Sequence, residues 1–349
     1  MQVNLRELGR TGIAIPPVVF GTTCLGNLFV AMPDEAKQEL VHTWMETGYR
    51  PVGIDSAGKY GAGMALEVLS RELQRLKVDP SDVVITNKLA WRRVPLKTEE
   101  PLFEPGVWIG LENDAVQDIS YEGILRCHED GCRMLSPYRP SLISLHDPDE
   151  YLAVASDAQE RKHRKQNLLD AYRALEELRD AGEVAGVGVG AKDWRIIHEL
   201  HQDCDFDWIM MANSFTILNH PKSLLDYLDE LKRRQVGLIN SAVMHGGFLS
   251  GGKFFDYRPL NPDSPVDAGL IDWRNRFSEC CDRHQISPFD ASVAFGKSHP
   301  AVTSVALSTS RPDRVQGLID SVSRILPSEF WSDLQDSGLL ASDYPHLGN

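Results

Sequence analysis

Eight short β-branched or apolar runs recur along this chain, each followed by a polar segment and then a helical pattern. No other feature restricts the fold as much. The runs are PPVVFGT (16–22), PVGIDS (51–56), DVVITNKLA (82–90), SLISLHD (141–147), VAGVGVGA (184–191), DWIMMANSF (207–215), VGLINSAVM (236–244) and VTSVALSTS (302–310). Continuous apolar runs suit parallel strands covered on both faces. Helices are expected at 34–48, 65–76, 119–135, 165–181, 194–202, 221–234, 268–284 and 312–324. In the fourth, Leu168, Leu169, Tyr172, Leu175 and Leu178 make one apolar stripe and Gly182 supplies a C-cap. Strands and helices alternating eight times predict an α/β fold, a (β/α)8 TIM barrel, formed as one domain over residues 1–349. A doubly wound open sheet is the alternative. It rarely needs eight regular repeats, and no G-x-G-x-x-G opens the first helix.

Three pieces fall outside the repeat. Residues 3–15, with LGRTG, read as a hairpin closing the bottom of the barrel. Residues 92–118 form a long insertion after the third strand, and 327–349 add a final helix and a tail. A long loop in a compact domain is usually functional or mobile. This one follows a strand at the end where barrels build their sites, so it is expected to cover substrate.

Composition narrows the function. A formal charge of −14 argues against a nucleic-acid surface. The one basic cluster, RKHRK at 161–165, reads as a solvated helix start. Cys24, Cys127, Cys132, Cys204, Cys280 and Cys281 show no C-x-x-C spacing and are expected to be reduced thiols. The N-terminus lacks the apolar core of a signal peptide, and no window approaches a membrane-spanning length. A cytoplasmic protein acting on a small molecule, without nucleic-acid or membrane partners, is the expectation; nothing specifies an oligomeric state.

The chemistry gathers at strand ends. The second strand ends in Asp55, with Tyr60 in the following loop; the third delivers Lys88; the fourth delivers His146. These strands are neighbours in a barrel, so the four side chains can converge. Each has an ordinary structural explanation alone, but three successive strand ends so equipped suit proton transfer coupled to hydride transfer. A free tyrosine, with pKa about 10, is a poor base at neutral pH. A lysine ammonium in reach favours the phenolate, and a carboxylate keeps that lysine charged and in place. A neutral histidine opposite orients the substrate oxygen. A metal-dependent hydrolase using Asp55, His146, Asp147, Asp149 and His245 is a remote alternative, since the first strand offers no H-x-H.

The Asp55–Tyr60 spacing, TNK with Lys88 and the strand-end His146 resemble the catalytic tetrad of the aldo-keto reductases. LGRTGIAIPPVVFGTTCLGN, YGAGMALEVLSREL and ALEELRDAGEVAGVGVG resemble other segments of that family, so the likeness covers nearly the whole chain. The long insertion, HDPD at 146–149, ANSFTIL at 212–218 and the closing Trp331–Leu340 stretch are similar to its aldose 1-dehydrogenase branch. The resemblance implies NAD or NADP lying across the barrel mouth. The matching cofactor positions are Gly21, Thr22, Asp55, Gly190, Ala191, Asn213, Ser241, Ser308, Thr309, Arg311 and Arg314. Several depart from the family pattern: Ala191 stands for Asn, Gly190 for Ser, Ala212 for Gln, Ser241 for an aromatic, Ser308 for Lys and Leu318 for Asn. Loss of a cation at 308 tilts the expectation to NAD. Cys24, Trp91, Trp108 and His146 are expected to line the substrate pocket. The implied activity is oxidation of a sugar hemiacetal to its lactone, or hydride transfer to and from an aldehyde. A cofactor-binding redox sensor or partner subunit of the same fold is the alternative.

Overall fold

The computed structural model describes residues 4–256 and 258–347. Its centre is a closed barrel of eight parallel strands: Val18–Gly21, Val52–Ala57, Val83–Leu89, Leu142–His146, Gly186–Ala191, Trp208–Ala212, Gly237–Ser241 and Val302–Leu307. They pair in chain order, and the eighth closes on the first. Each lies within an expected run except the second, which continues one residue past 51–56 to Ala57. The sixth and seventh stop short because Asn213 (φ 57°) and Ala242 (φ 51°) leave the extended region.

Eleven α-helices stand outside the barrel among the described residues: α1 (Asp34–Met45), α2 (Met64–Arg75), α3 (Tyr121–Leu135), α4 (Pro148–Ala153), α5 (Ala158–Asp180), α6 (Trp194–Leu200), α7 (Lys222–Arg233), α8 (Pro265–Arg283), α9 (Pro288–Gly296), α10 (Val315–Ser323) and α11 (Ser328–Asp336). Two, α4 and α9, are additions to the expected set. The basic cluster lies inside α5, not ahead of it. Asp157 caps that helix by accepting from the Glu160 amide, and Arg161, Arg164 and Lys165 pair with Glu199, Glu160 and Asp203.

The short hairpin Arg6–Glu7 with Ala14–Ile15 plugs the N-terminal end of the barrel; Val3 of the expected 3–15 span lies outside the described residues. Leu8 and Ile15 are buried there against Val19, Val84, Leu142, Trp208 and Ile239. Chemistry is therefore left to the opposite mouth, where the strands end.

The insertion is itself a hairpin. Trp91–Pro95 pairs antiparallel with Asn113–Gln117, and the intervening loop folds back over the mouth. Its Phe103, Trp108 and Leu111 form a small apolar cluster with Ala62, against which the Tyr60 ring packs. Asn27 ties the loop to the turn after the first strand. Its carbonyl accepts from the Ile109 amide at 3.1 Å and its side-chain amide donates to the Ile109 carbonyl at 3.0 Å.

Candidate active site

Strand register explains how the first two charged groups meet. Asp55 pairs with Thr86, so both side chains share the barrel interior, and Lys88, two residues on, points the same way. Lys88 Nζ donates to both carboxylate oxygens of Asp55, at 2.6 and 2.5 Å, and Thr86 Oγ1 donates to Oδ1 at 2.6 Å. Both charged groups are buried. An ion pair so enclosed keeps its geometry only because each partner neutralises the other. Gly190 leaves the space this lysine crosses, since a Cβ there would stand 3.0 Å from Lys88 Cδ.

Tyr60 is set beside this pair by a tight loop. A Cβ on Gly61 (φ +61°) would lie 2.5 Å from the Gly26 carbonyl oxygen, and one on Gly26 would lie 2.8 Å from the Tyr60 carbonyl carbon. Two backbones therefore touch where only glycine fits. The Lys88 ammonium sits 4.8 Å from the centroid of the Tyr60 ring. The His146 ring meets the Tyr60 ring edge-on at 5.8 Å, and Trp108 lies against it at 5.8 Å. His146 is buried, and burial together with the Lys88, Lys59 and Lys192 cations holds its pKa well below the ordinary imidazole value. It is a neutral imidazole near neutral pH.

These groups line one cavity of about 610 Å³. Of the tetrad, cofactor and substrate positions expected from the sequence, Gly21, Asp55, Tyr60, Lys88, Trp108, His146, Gly190, Ala191, Asn213, Ser241 and Ser308 line it. Six others do not. Thr22 lies fully beneath the surface, its hydroxyl donating to Ser56 Oγ at 2.9 Å, and its neighbour Thr23 faces the cavity instead. Cys24 is turned into the core, where burial pushes its thiol up to about 11. Trp91 stands behind the wall, against Phe103. The Thr309 hydroxyl accepts from the Arg311 amide at 3.1 Å, and the exposed Arg311 guanidinium pairs with Asp313 at 2.6 Å. Arg314 is also exposed at the surface. Leu318, at the position the family gives to Asn, is packed in the core.

The sequence passed over two parts of the wall. Val243, Met244, Gly246 and Gly247, in the turn after the seventh strand, line the cavity and had no polar signature to mark them. The other is Lys59 with Glu104, Glu150 and Lys192, gathered around Asp147, which the sequence offered only as a metal ligand. Asp55 and Asp147, which a metal-hydrolase reading would need as ligands, are each bound to an ammonium.

A nicotinamide nucleotide fits this wall. Asn213 Oδ1 is a buried acceptor with no hydrogen-bond partner among the described residues, at the end of the sixth strand and on the cavity surface, and a carboxamide NH₂ is a donor of the matching kind. The same cavity is lined by Tyr60 and by Ser308, which follows the eighth strand.

Comparison with known proteins gives the same frame. The sequence is 28% identical over 345 residues to pyridoxal 4-dehydrogenase of Microbacterium luteolum, covering 96% of this chain and 98% of that one. It is 25% identical over 347 residues to D-threo-aldose 1-dehydrogenase of a Pseudomonas species, covering 94% and 96%. In fold it is similar to the holo form of aldo-keto reductase AKR11C1 from Bacillus halodurans, with a TM-score of 0.70 at 18% identity over 98% of this chain and 97% of that one. The Aldo/keto reductase family profile matches residues 17–338. The chain, an oxidoreductase whose cofactor is NAD or NADP, belongs to the aldo/keto reductase family.

Proposed function

We propose that this enzyme oxidises a cyclic hemiacetal, most simply the anomeric carbon of a free sugar, to its lactone. The observation that carries the proposal is the convergence of Asp55, Lys88, Tyr60 and His146 in one cavity. Tyr60 takes the proton of the hemiacetal hydroxyl. Lys88, beside its ring, stabilises the phenolate that Tyr60 needs to be a base, and Asp55 keeps Lys88 charged and in place. His146, held neutral, orients the same hydroxyl. The carbon gives up its hydrogen with both electrons, and the lactone C=O forms as the O–H bond is lost. The bound nicotinamide supplies the hydride acceptor. Asn213 would hold its carboxamide, and the wall near Gly21 and Ser308 its far end. In the opposite direction Tyr60 returns the proton and a carbonyl is reduced.

Two relatives carry names that fit this chemistry. One is a dehydrogenase of an aldose at carbon 1, the other of pyridoxal, whose aldehyde can close on a neighbouring hydroxymethyl group. Ser308 is uncharged and Arg311 is paired with Asp313, which leaves exposed Arg314 as the basic residue there and supports NAD over NADP, since a 2′-phosphate is held best by several cations. A second reading, a redox sensor or partner subunit that binds the cofactor with little turnover, rests on the small Ala212 and Ser241 side chains in the wall.

The test is reduction of NAD+ and NADP+ with L-fucose, D-arabinose, L-galactose, pyridoxal and simple aldehydes, the Tyr60→Phe variant run beside the wild type. Turnover of a hemiacetal that falls at least ~1,000-fold in the variant is expected. Turnover that survives the substitution overturns the assignment of Tyr60. Binding of NADH without turnover of any compound would favour the sensor.

A further inference from the structure

The most unusual group in the molecule outside the four strand-end residues is Lys59. It precedes Tyr60 directly, is 4% exposed, and meets three carboxylates from two segments of the chain, the insertion loop and residues 147–150. Its Nζ lies 2.7 Å from Glu104 Oε1 in the insertion loop, 3.1 Å from Asp147 Oδ2 at the end of the fourth strand, and 3.4 Å from Glu150 Oε2 in α4. It also stands 5.1 Å from the Trp91 ring centre. Glu104 in turn accepts from Trp108 Nε1 at 2.7 Å, and Trp108 packs on Tyr60. Asp147 Oδ2 is 3.5 Å from His146 Nε2.

We propose that Lys59 is a positioning residue. Its buried ammonium draws the insertion loop, the strand-four end and the Tyr60 loop into one wall, and it takes up the Asp147 charge beside His146. The inference rests on the proposed dehydrogenase chemistry for its kinetic consequences, but the clamp itself does not.

The electrostatics follow from the arrangement. Lys59 with Glu104, Asp147 and Glu150 carries one positive and three negative charges, and Lys192, paired with Glu150 and 4.0 Å from Asp147, adds a second cation. Without Lys59, three carboxylates, buried Asp147 and the part-exposed Glu104 and Glu150, would face one lysine, and mutual repulsion would push Glu104, the one on a loop, outward. Burial works against the Lys59 ammonium, yet Asp147, Glu104 and Glu150 outweigh it and raise its pKa. The groups around His146 are Asp55 and Tyr60 from the second strand and its loop, Lys88 from the third, Asp147 and Glu150 on its own side, Lys192 after the fifth, and Lys59. Of these, Lys59 and Lys192 are the cations that offset Asp147. Removal of Lys59 would leave Asp147 free to favour imidazolium, so His146 would take up a proton at a higher pH.

Lys59→Met keeps the unbranched stem, one atom shorter, and removes the charge; Lys59→Arg keeps the charge. The experiment measures three things on each: amide hydrogen exchange over 96–112, the titration of His146 in ¹³C-histidine-labelled protein, and the pH profiles of kcat and KM. Lys59→Met is expected to speed exchange in the loop about tenfold. It should also raise KM about tenfold more than it lowers kcat and move the acid limb of kcat/KM upward with the His146 titration. Lys59→Arg should recover most of each change. Glu104→Gln, which removes only the loop arm, should raise exchange and KM while leaving the acid limb in place; it also serves if Lys59→Met does not fold. Unchanged exchange and an unmoved His146 titration in Lys59→Met, or a Lys59→Arg as impaired as Lys59→Met, overturns the inference. If the wild type turns over no hemiacetal, the functional proposal fails, and the exchange and titration still decide the role of Lys59.

Discussion

Asp55 and Lys88 form a pair in which either partner alone is worse than neither. Each is buried, and removal of one strands a full charge in a low-dielectric interior. Lys88→Met and Asp55→Leu are each expected to lose about 3–5 kcal/mol in urea unfolding. The double variant should lose clearly less than the sum, the sign of a direct coupling. Additive losses would mean that Thr86 and the surrounding backbone, not the pairing, hold the site together. Gly61 gives a sharper single-residue test. Gly61→Ala places a Cβ on the Gly26 carbonyl and in a backbone conformation that alanine resists, so the Tyr60 loop must shift. Turnover should fall at least ~10-fold with NADH affinity within about twofold of wild type; equal losses in both would point to a general collapse instead. At this scale the sequence was generous with Asp55, Lys88 and His146 and with Tyr60 in the loop after Asp55, because strand ends and the loops that follow them carry polar side chains into a pocket by position alone. It gave Lys59, which stands between Asp55 and Tyr60, no role, because Glu104 reaches it only when the insertion folds back and Asp147 and Glu150 only when the fourth strand lies beside it.

The insertion shows the same limit for whole elements. A long polar segment without period reads as a loop, and its strands at Trp91–Pro95 and Asn113–Gln117 are legible only through each other. What fixes the loop between them is Asp114. Burial disfavours its carboxylate, but the Leu102, Phe103 and Ala115 amides all donate to it, and the net effect holds its pKa below the usual carboxylate range. Asp114→Ala should release residues 96–112 at a local cost of about 1–3 kcal/mol. Limited proteolysis would then cut within 96–112 well before the barrel; cleavage that starts elsewhere would show that the apolar cluster of Phe103 and Trp108 suffices without Asp114. The two helices absent from the sequence expectation were hidden for different reasons. At six residues, α4 is too short to display a period. By contrast, α9 is buried on nearly every side, so it has no polar face to contrast with an apolar stripe. Its start was nevertheless written in Ser287–Pro288, a capping serine whose hydroxyl accepts from the Asp290 amide, followed by proline at the first helical position.

For the molecule as a whole, the barrel and its strand order followed from the eightfold alternation, whereas the titration behaviour could be seen only once burial was known. Five histidines, His128, His146, His201, His220 and His299, are held below the ordinary imidazole value, with burial the leading cause in each. His201 and His299 are pushed down to about 4. In the unfolded chain a histidine takes its proton near pH 6.5. Between that pH and the lower folded value the unfolded state therefore binds more protons, and stability falls as pH falls. Each such group contributes a slope of about 1.4 kcal/mol per pH unit across that window. Asp267 and Asp333, held down to about 2 by Arg258 and Arg283, extend the loss to lower pH. Asp149 and Glu176, raised mainly by burial, act in the opposite sense but titrate from lower starting values. The Tm should accordingly be highest at neutral pH and above, and drop steeply from pH 6.5 to pH 4. His299→Gln removes one of the titrating groups and should make that drop shallower, even if its Tm at pH 7.5 is lower. A Tm that holds level from pH 7 to pH 5 would mean that the buried histidines reach water before the barrel opens. In that case acid would enter through local openings at the seams around His201 and His299, and hydrogen exchange there would rise with acid ahead of the global transition.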